Sequence, residues 1–251
     1  MKRGDLHKVS VILPTYNEKD NILTLIGEIQ KHLTNDVEIV VVDDDSPDLT
    51  WQIVETLKDN NVKLLRRMNE KCLTTAIWDG ITAASGEVVV WMDTDLSMPP
   101  EKIPDLLKKI DEGYDISVGS RYIPDGGTVI IEKSQDSMLS AVSSFVMNYF
   151  IQRLLDTPFK DYTSGFIAAR KKVFDDIKLR GDYGEYFIDL IYNSIKKGYK
   201  VVEIPYILQA RKYGVSKTGT NFFQLSKRGI KYITTSLRLR FTRIEKSAPN
   251  I

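Results

Sequence analysis

Hydrophobic residues change their spacing regularly along the first half of the chain. Short apolar runs predict strands at residues 9–13, 37–42, 62–65, 88–92 and 115–119. Between these runs, apolar residues recur every three or four positions and predict helices at residues 22–33, 50–58, 74–84 and 101–112. Strands that alternate with helices of this length form right-handed βαβ units. The pattern therefore predicts an α/β fold with a mostly parallel central sheet and helices on both faces.

The second half of the chain is less regular. Its pattern predicts helices at residues 138–155, 185–197 and 222–241, and short strands at residues 167–169 and 200–204. Residues 122–135 contain Pro124-Asp125-Gly126-Gly127 and are predicted to form a loop. Because no repeat or low-complexity linker separates the halves, we expect a single domain. Its expected parts are a nucleotide-binding half at about 8–120, an acceptor half at about 121–241 and a tail at 242–251.

Composition narrows the classes of partner. The 251 residues include 35 Lys and Arg against 34 Asp and Glu, a formal net charge of +1, so no overall basic field attracts nucleic acid. The single cysteine, Cys72, cannot form an internal disulfide, which fits a reducing compartment. No run of about 18 apolar residues is present, so no transmembrane segment is predicted. These features predict a cytoplasmic protein that can still lie on a membrane surface.

Polar clusters follow three of the predicted strands, at residues 14–18, 43–48 and 93–97. In open α/β sheets the carboxyl ends of the strands form the edge where ligands bind. Neither the glycine-rich dinucleotide fingerprint nor the P-loop pattern is present. Asp93 and Asp95 instead offer two hard oxygen ligands that suit Mg²⁺ or Mn²⁺, the alternative being an acidic turn without a metal. An acidic edge repels a diphosphate unless a cation intervenes, so metal-bridged nucleotide binding is the consistent interpretation.

Two helices and one loop of the second half add further candidate features. The helix at residues 138–155 is too short and too polar to span a bilayer, and it is expected either to pack on the core or to lie at an interface. The basic helix at 222–241 has the same two interpretations. Residues 211–217 form a basic segment that contains Arg211 and Lys217. Its alternatives are a solvated loop and an anion-binding loop.

Six short motifs occur together in an order that a known family shares. They are Pro14-Thr15-Tyr16-Asn17-Glu18, Asp43-Asp44-x-Ser46-x-Asp48, Asp93-x-Asp95 ahead of Pro99-Pro100, Gly119-Ser120-Arg121-Tyr122, Thr163-Ser164-Gly165-Phe166 and Arg211-x-x-Gly214-x-Ser216-Lys217. With these motifs, over about residues 8–239, the chain resembles family 2 glycosyltransferases with the GT-A fold. Within that family it is most similar to dolichyl-phosphate mannose synthases and related polyprenyl-phosphate glycosyltransferases. Any one motif is weak, but six in register are specific.

The resemblance implies roles for residues on the donor side. Binding of the nucleotide sugar is implied for Pro14, Tyr16, Glu18, Val42, Asp44, Asp93, Thr94, Asp95, Arg211 and Lys217. Asp95 is implied to be the main ligand of Mg²⁺ or Mn²⁺, with Ser97 as a poorer second ligand. Arg211 and Lys217 are implied to clamp the donor diphosphate, and these two residues with Asp95 and Arg121 form the implied catalytic set.

On the acceptor side, the resemblance implies binding by Arg121 and Ser140. Relatives commonly carry an arginine near the position of Asp136. Losing that cation and gaining an anion should weaken phosphate binding. Three interpretations follow: the acceptor site is rebuilt with Lys133 or Arg153, the acceptor is unusual, or the chain is a degenerate, inactive member.

Other departures from the family pattern lie on the donor side. Relatives carry glycine where this chain has Asp45 and Leu49. They also carry Gly-x-Gly-Thr-Ala where this chain has Cys72-Leu73-Thr74-Thr75-Ala76. Like the change near Asp136, these departures weaken the prediction of the substrate.

The activity implied by the resemblance is inverting, metal-dependent transfer of a hexose to dolichyl or another polyprenyl phosphate, with mannose from GDP-mannose as the leading donor. The implied partners are the nucleotide sugar, the lipid phosphate and the cytosolic face of a membrane, with a membrane-anchoring subunit as an option. One alternative is a polyprenyl-phosphate glucosyltransferase that uses UDP-glucose, and another is a transferase acting on a soluble saccharide. A non-enzymatic alternative is a nucleotide-sugar-binding subunit that recruits membrane partners.

Overall fold

The computed structural model describes residues 7–33, 37–128, 135–211 and 222–242. The strands in these ranges are β1 (Val9–Thr15), β2 (Val37–Asp43), β3 (Val62–Arg66), β4 (Val88–Trp91), β5 (Ile116–Ser120), β6 (Gly127–Thr128), β7 (Ile167–Arg170), β8 (Val201–Pro205) and β9 (Ile207–Leu208). The α-helices are α1 (Ile22–His32), α2 (Thr50–Glu55), α3 (Leu73–Ala83), α4 (Ile103–Asp111), α5 (Gln135–Leu155), α6 (Val173–Asp176), α7 (Glu185–Lys197) and α8 (Phe222–Phe241).

The central sheet has seven strands in the order β3-β2-β1-β4-β7-β5-β8. Its strand pairs are parallel except where β7 lies between β4 and β5, because β7 runs antiparallel to both. The predicted α/β class and mostly parallel sheet are therefore confirmed. A second, two-stranded sheet joins β6 to β9 and was not predicted. Part of the predicted loop at residues 122–135 thus pairs as a strand, and residues 129–134 lie outside the described part.

Side chains alternate between two hydrophobic cores, one on each face of the sheet. Ile12 and Trp91 point into the core that contains α3, α5 and α7. Val11 and Val90 point into the core that contains α1 and α4. This alternation follows from the two-residue period of a strand. Helices on both faces shield the central strands β1 and β4 from solvent, so the ends of the strands form the accessible edge of the sheet.

Most predicted helix boundaries agree with the structure to within a few residues. The helices predicted at 185–197 and 222–241 have the same bounds as α7 and α8. The helix predicted at 101–112 instead begins with a 3₁₀ turn at Pro100–Lys102, and α4 follows with Pro104 in its first turn. Proline lacks a backbone donor and is tolerated in the first turn of a helix, which explains this start.

The amino-terminal edge of the sheet is held by a buried carboxylate on β2. Glu38 accepts hydrogen bonds from the Ser10 hydroxyl and from the Ser85 backbone, and it pairs with Lys63. Gly86 packs against the same cluster, since a Cβ there would lie 2.7 Å from the backbone oxygen of Lys8. These contacts join β1, β2, β3 and the turn before β4.

The Glu38 cluster should make stability sensitive to acid. Burial alone would raise the pKa of Glu38, but its partners, led by Lys63 and Ser10, outweigh burial and lower the pKa to about 2. A depressed carboxyl pKa adds stability above the ordinary pKa near 4.5 and loses it as pH falls towards 2. We expect Glu38→Gln to reduce the free energy of unfolding at pH 7 by about 2 kcal/mol, allowing for the solvent around Lys63.

Urea unfolding followed from pH 7 to pH 3 measures this difference. The difference in the free energy of unfolding between wild type and Glu38→Gln should become smaller below about pH 4.5. Glu112→Gln, which removes an exposed pair with Lys109, is the control and should show no such narrowing. A difference in the free energy of unfolding that stays constant with pH would contradict the stabilising role assigned to the Glu38 carboxylate.

Candidate active site

The polar ends of three parallel strands meet in one cleft of about 330 Å³. The strand ends contribute Pro14, Thr15, Tyr16, Glu18, Asp44, Asp93, Thr94 and Asp95. Arg211 closes one side, and Lys71 and Cys72 line another. The hydroxyl of Thr94 donates to the Pro14 carbonyl at 3.0 Å and ties the end of β4 to the end of β1. The predicted convergence of these three segments is therefore present in the fold.

Each strand end contains a residue in the left-handed region of backbone space. Asn17, Asp45 and Leu96 have φ of +57°, +52° and +63°, and Leu49 has φ of +67°. Asn and Asp tolerate this conformation better than Leu does. Asp45 and Leu49 are also the two positions where the family resemblance implies glycine, and glycine adopts such positive φ values without strain. Strain of this kind at strand ends is typical of ligand sites.

A buried carboxylate at the end of β2 holds the loops in place. Asp43 is fully buried and accepts hydrogen bonds from the hydroxyls of Thr15 and Ser46 at 2.8 and 2.7 Å. The Ser46 hydroxyl in turn accepts from the backbone nitrogen of Asn17 at 2.9 Å. Asp43 thus supports the loops from behind, whereas its neighbour Asp44 faces the cleft.

Arg67 is a buried residue behind the cleft wall that sequence patterns did not single out. Its guanidinium donates to Asp44 at 2.7 Å, to Asp79 at 3.0 Å and to the Cys72 carbonyl at 3.0 Å. Burial alone would lower the pKa of Arg67, but its carboxylate partners raise it. Burial raises the pKa of Asp44, with Arg67 opposing that effect. The arginine therefore holds the carboxylate of Asp44, which lines the cleft.

A compact ion cluster forms the other end of the cleft. Arg211 lies 2.7 Å from Asp95 Oδ2 and 3.4 Å from Glu18 Oε1. The backbone nitrogen of Gln209 donates to the Ser97 carbonyl at 2.8 Å, which fixes the chain beside the Asp95 loop. Arg211 and Asp95, predicted to act on the same diphosphate, are thus in direct contact.

Asp93 lies at the floor of the cleft, with its side chain open to the cleft solvent. Desolvation by the surrounding protein, followed by the charge of Asp95, raises the pKa of Asp93 to about 7. A cation beside Asp93 would offset this effect, so it would be stabilising there.

The carboxylates fit a divalent cation that shares its coordination with a ligand. Within the described ranges, no group of three or more His, Cys, Asp and Glu side chains is arranged to hold a metal. Mg²⁺ is commonly held by one or two carboxylates together with substrate phosphates, so Asp93 and Asp95 match that kind of site. Ser97 is buried, and its backbone nitrogen donates to Asp95 at 2.9 Å.

A second cavity of about 300 Å³ adjoins the cleft. Asp93, Leu73 and Tyr183 line both spaces, so the cavities meet at Asp93. The remaining wall consists of residues from α5, the loop before β7, α7 and α8: Ser143, Ser144, Met147, Thr163, Ser164, Gly165, Gly184, Tyr186, Phe187, Arg228, Gly229 and Tyr232. This wall combines apolar surface with a few hydroxyls and a guanidinium.

Arg121 is held in a buried ion pair beside the second cavity. Its Nε and Nη2 donate to the two carboxylate oxygens of Asp161 at 2.9 and 2.7 Å, and Nη2 also donates to the Thr163 hydroxyl at 2.8 Å. Burial alone would lower the pKa of Arg121, but Asp161 outweighs it and raises the pKa. Asp161 is therefore the ion-pair partner of Arg121. In the same loop, the Ser164 hydroxyl donates to the Gly119 carbonyl.

Several predicted site residues lie apart from the two cavities. Val42 is fully buried in a core, and Val42, Ser97 and Arg121 line neither cavity. The Ser140 side chain and Lys217 lie outside the described part, so their roles stay predictions. Lys71 was not predicted; its ammonium lies 4.9 Å from the Tyr16 ring centre, inside the cleft.

Comparisons with known proteins agree with this geometry. The family model described as Glycosyl transferase family 2 matches residues 10–178. Over 212 residues the chain is 41% identical to a dolichol-phosphate mannosyltransferase of Pyrococcus furiosus, covering 84% of this chain and 59% of that relative. Over 235 residues it is 35% identical to a polyprenol monophosphomannose synthase of Mycolicibacterium smegmatis, covering 88% of this chain and 86% of the relative.

Solved structures share the fold. The chain superposes with a TM-score of 0.70 on glucosyl-3-phosphoglycerate synthase from Mycobacterium tuberculosis in complex with Mn²⁺, UDP and phosphoglyceric acid, at 18% identity over 96% of this chain and 80% of that one. A structure of the same enzyme with Mg²⁺ and UDP gives the same TM-score, over 96% and 81% of the two chains. The GT-A fold is thus confirmed. Among the described helices, none combines the length and the hydropathy needed to cross a membrane.

Proposed function

The chain belongs to glycosyl transferase family 2, and from that premise we propose that it transfers mannose from GDP-mannose to a polyprenyl phosphate. The names of the two curated relatives support this choice of sugar and acceptor. Because the chain spans only 59% of the length of the Pyrococcus relative, the activity of the whole protein is part of the proposal. UDP-glucose is the alternative donor.

The observation that carries the proposal is that α5 lines the second cavity on one side and exposes an apolar face on the other. Ser143, Ser144 and Met147 of α5 line the second cavity. The other side of the helix presents apolar side chains that are 43% to 58% exposed: Val142, Phe145, Val146, Tyr149 and Phe150. A lipid-linked acceptor needs a polar pocket for its head beside an apolar surface for its tail, and α5 offers both. A soluble saccharide would leave that apolar face unexplained.

The exposed face of α5 also supports binding to a membrane surface. An apolar helix face of this kind can lie in the interfacial region of a bilayer. Phe241 of α8 adds a side chain that is 83% exposed. The proposal therefore places the protein on the cytosolic face of a membrane during turnover.

The cleft residues supply donor binding and charge stabilisation. Tyr16 and Asp44, the latter held by Arg67, would contact the nucleoside, while Arg211 would release Glu18 and Asp95 to bind the diphosphate. Arginine suits this role because its planar fork binds phosphate oxygens in pairs. Asp95 and Asp93 would hold Mg²⁺ or Mn²⁺, which supplies charge neutralisation for the leaving diphosphate.

The acceptor side needs little proton chemistry. A phosphate monoester has a second pKa near ~6, so it is already an anionic nucleophile at neutral pH. Attack by its oxygen on the anomeric carbon, from the second cavity, breaks the bond to the diphosphate on the cleft side. The nucleophile and leaving group then lie on opposite sides of the sugar, which gives inversion.

A donor and acceptor panel tests the proposal. Purified protein with Mn²⁺ is given GDP-mannose, UDP-glucose and other nucleotide sugars, with polyprenyl phosphate in vesicles, a short isoprenyl phosphate or a soluble saccharide. We expect mannosyl lipid as the main product and co-sedimentation of the protein with the vesicles. Product formed only on soluble saccharides, or donor binding without any lipid product, would overturn the proposal.

A further inference from the structure

The second cavity, in which the acceptor would bind, has a positively charged residue in its wall. Among the described residues that line the second cavity, Arg228 is the one with a permanent positive charge. Asp93 contributes a carboxylate at the junction with the cleft. An anionic phosphate monoester bound in this cavity would be stabilised by a cation in the cavity wall.

Arg228 lies at the end of the cavity nearest the donor. Its guanidinium carbon lies 4.2 Å from the ring centre of Tyr183. Tyr183 lines both the second cavity and the donor cleft, and its surroundings include the charges of Asp93 and Arg211. Stacking on this ring thus places the arginine at the junction where the acceptor head has to meet the sugar.

The helix that carries Arg228 is fixed against the loop before α7. Lys231 lies 2.8 Å from Asp182 and 3.7 Å from Glu185. Tyr232 packs so closely on Gly184 that a Cβ there would lie 2.2 Å from the phenol oxygen. These contacts hold one turn of α8 in a defined position, and a guanidinium presented from a fixed turn binds phosphate with less loss of side-chain freedom.

Other candidate cations fit the acceptor phosphate less well. Arg121 lines neither cavity, and its guanidinium donates to both carboxylate oxygens of Asp161. Arg153 stacks on Tyr149 at 5.2 Å and lines neither cavity. Lys133 lies outside the described part.

We propose that Arg228 binds the phosphate monoester of the acceptor at the junction of the two cavities. This assignment rests on the proposed function and adds a specific residue to it. Arg228 holds the acceptor oxygen near the sugar.

Steady-state kinetics with a water-soluble short isoprenyl phosphate tests this assignment without a membrane. We expect Arg228→Gln to raise the acceptor KM at least about tenfold, as for loss of a charged hydrogen bond, and to leave the donor KM within about twofold. Arg228→Lys should raise the acceptor KM less than Arg228→Gln does, because lysine keeps the positive charge but lacks the planar guanidinium. Arg240→Gln, an exposed arginine of α8 outside both cavities, is the matched control and should match wild type.

Calorimetric binding separates this inference from the proposed function, because it needs no turnover. Wild type should bind isoprenyl phosphate more tightly than the matching isoprenol, and Arg228→Gln should lose that preference. An active wild type with unchanged acceptor KM and unchanged phosphate preference in Arg228→Gln would overturn the role of Arg228. Inorganic phosphate that competes as well as the isoprenyl phosphate would assign the site to free phosphate and overturn it too. A wild type that forms no product from any isoprenyl phosphate would instead overturn the proposed function.

Discussion

Asp95→Asn is expected to reduce kcat by about 10³-fold or more, the range seen when a preorganised charge-stabilising group is removed from an active site. Asp95 is almost fully buried, and its Oδ2 lies 2.7 Å from Arg211. Asparagine keeps the size of the side chain and can still accept the hydrogen bond from the Ser97 nitrogen. The substitution removes the charge that holds Arg211 and that would hold the metal, while leaving the loop in place.

Product formation and donor binding should be measured on the same Asp95→Asn sample. We expect GDP to raise the thermal stability of wild type more in the presence of Mn²⁺, and this metal-dependent increment to disappear in the variant. Asp111→Asn, an exposed residue at the end of α4, is the matched control and should behave as wild type. A variant that keeps more than a tenth of the wild-type kcat would remove Asp95 from the catalytic set.

Asp161→Ala is expected to lower the free energy of unfolding by about 3–5 kcal/mol, because it leaves a buried guanidinium without its counter-charge. Asp161 is fully buried, and the Arg121 side chain is 10% exposed. The substitution also removes an acceptor for the Arg121 backbone nitrogen at 2.9 Å. Urea unfolding followed by tryptophan fluorescence measures the loss.

Two further variants show whether the loss comes from the unpaired charge. Asp105→Ala breaks an exposed pair with Lys102 and should cost less than about 1 kcal/mol. Adding Arg121→Met to Asp161→Ala removes the buried charge as well, so the double variant should be more stable than Asp161→Ala alone. If the double variant is the less stable of the two, the ion pair is not the source of the effect.

The sequence predicted those parts of the fold that periodicity encodes. Long amphipathic segments such as α7 have many apolar positions in register, so their bounds were correct. The direction of β7 was not predictable, because four apolar residues carry no information about which strands they will pair with. The two-residue strands β6 and β9 were too short to produce any pattern.

The site was predictable where polar residues directly follow strands, as at Glu18, Asp44 and Asp95. Arg67 and Arg228 were missed for a common reason. Each occurs in sequence as an ordinary charged residue, next to another basic residue in one case and within a basic helix in the other. Their importance arises from burial and from the elements that meet around them, such as Asp44 and Cys72 around Arg67. Tertiary context of this kind leaves no local trace in the sequence.

The place of β7 in the sheet also determines when the centre of the sheet can close as the chain leaves the ribosome. β4 and β5 are synthesised well before β7, yet each depends on β7 for one of its ladders. Until residues 167–170 emerge, both strands present unpaired backbone groups of the kind that promote association between chains. The nascent protein therefore carries a gap in the middle of its sheet through the synthesis of α5. The centre of this sheet, between β4 and β5, thus closes only when β7 emerges, and β8 then adds the edge strand beside β5.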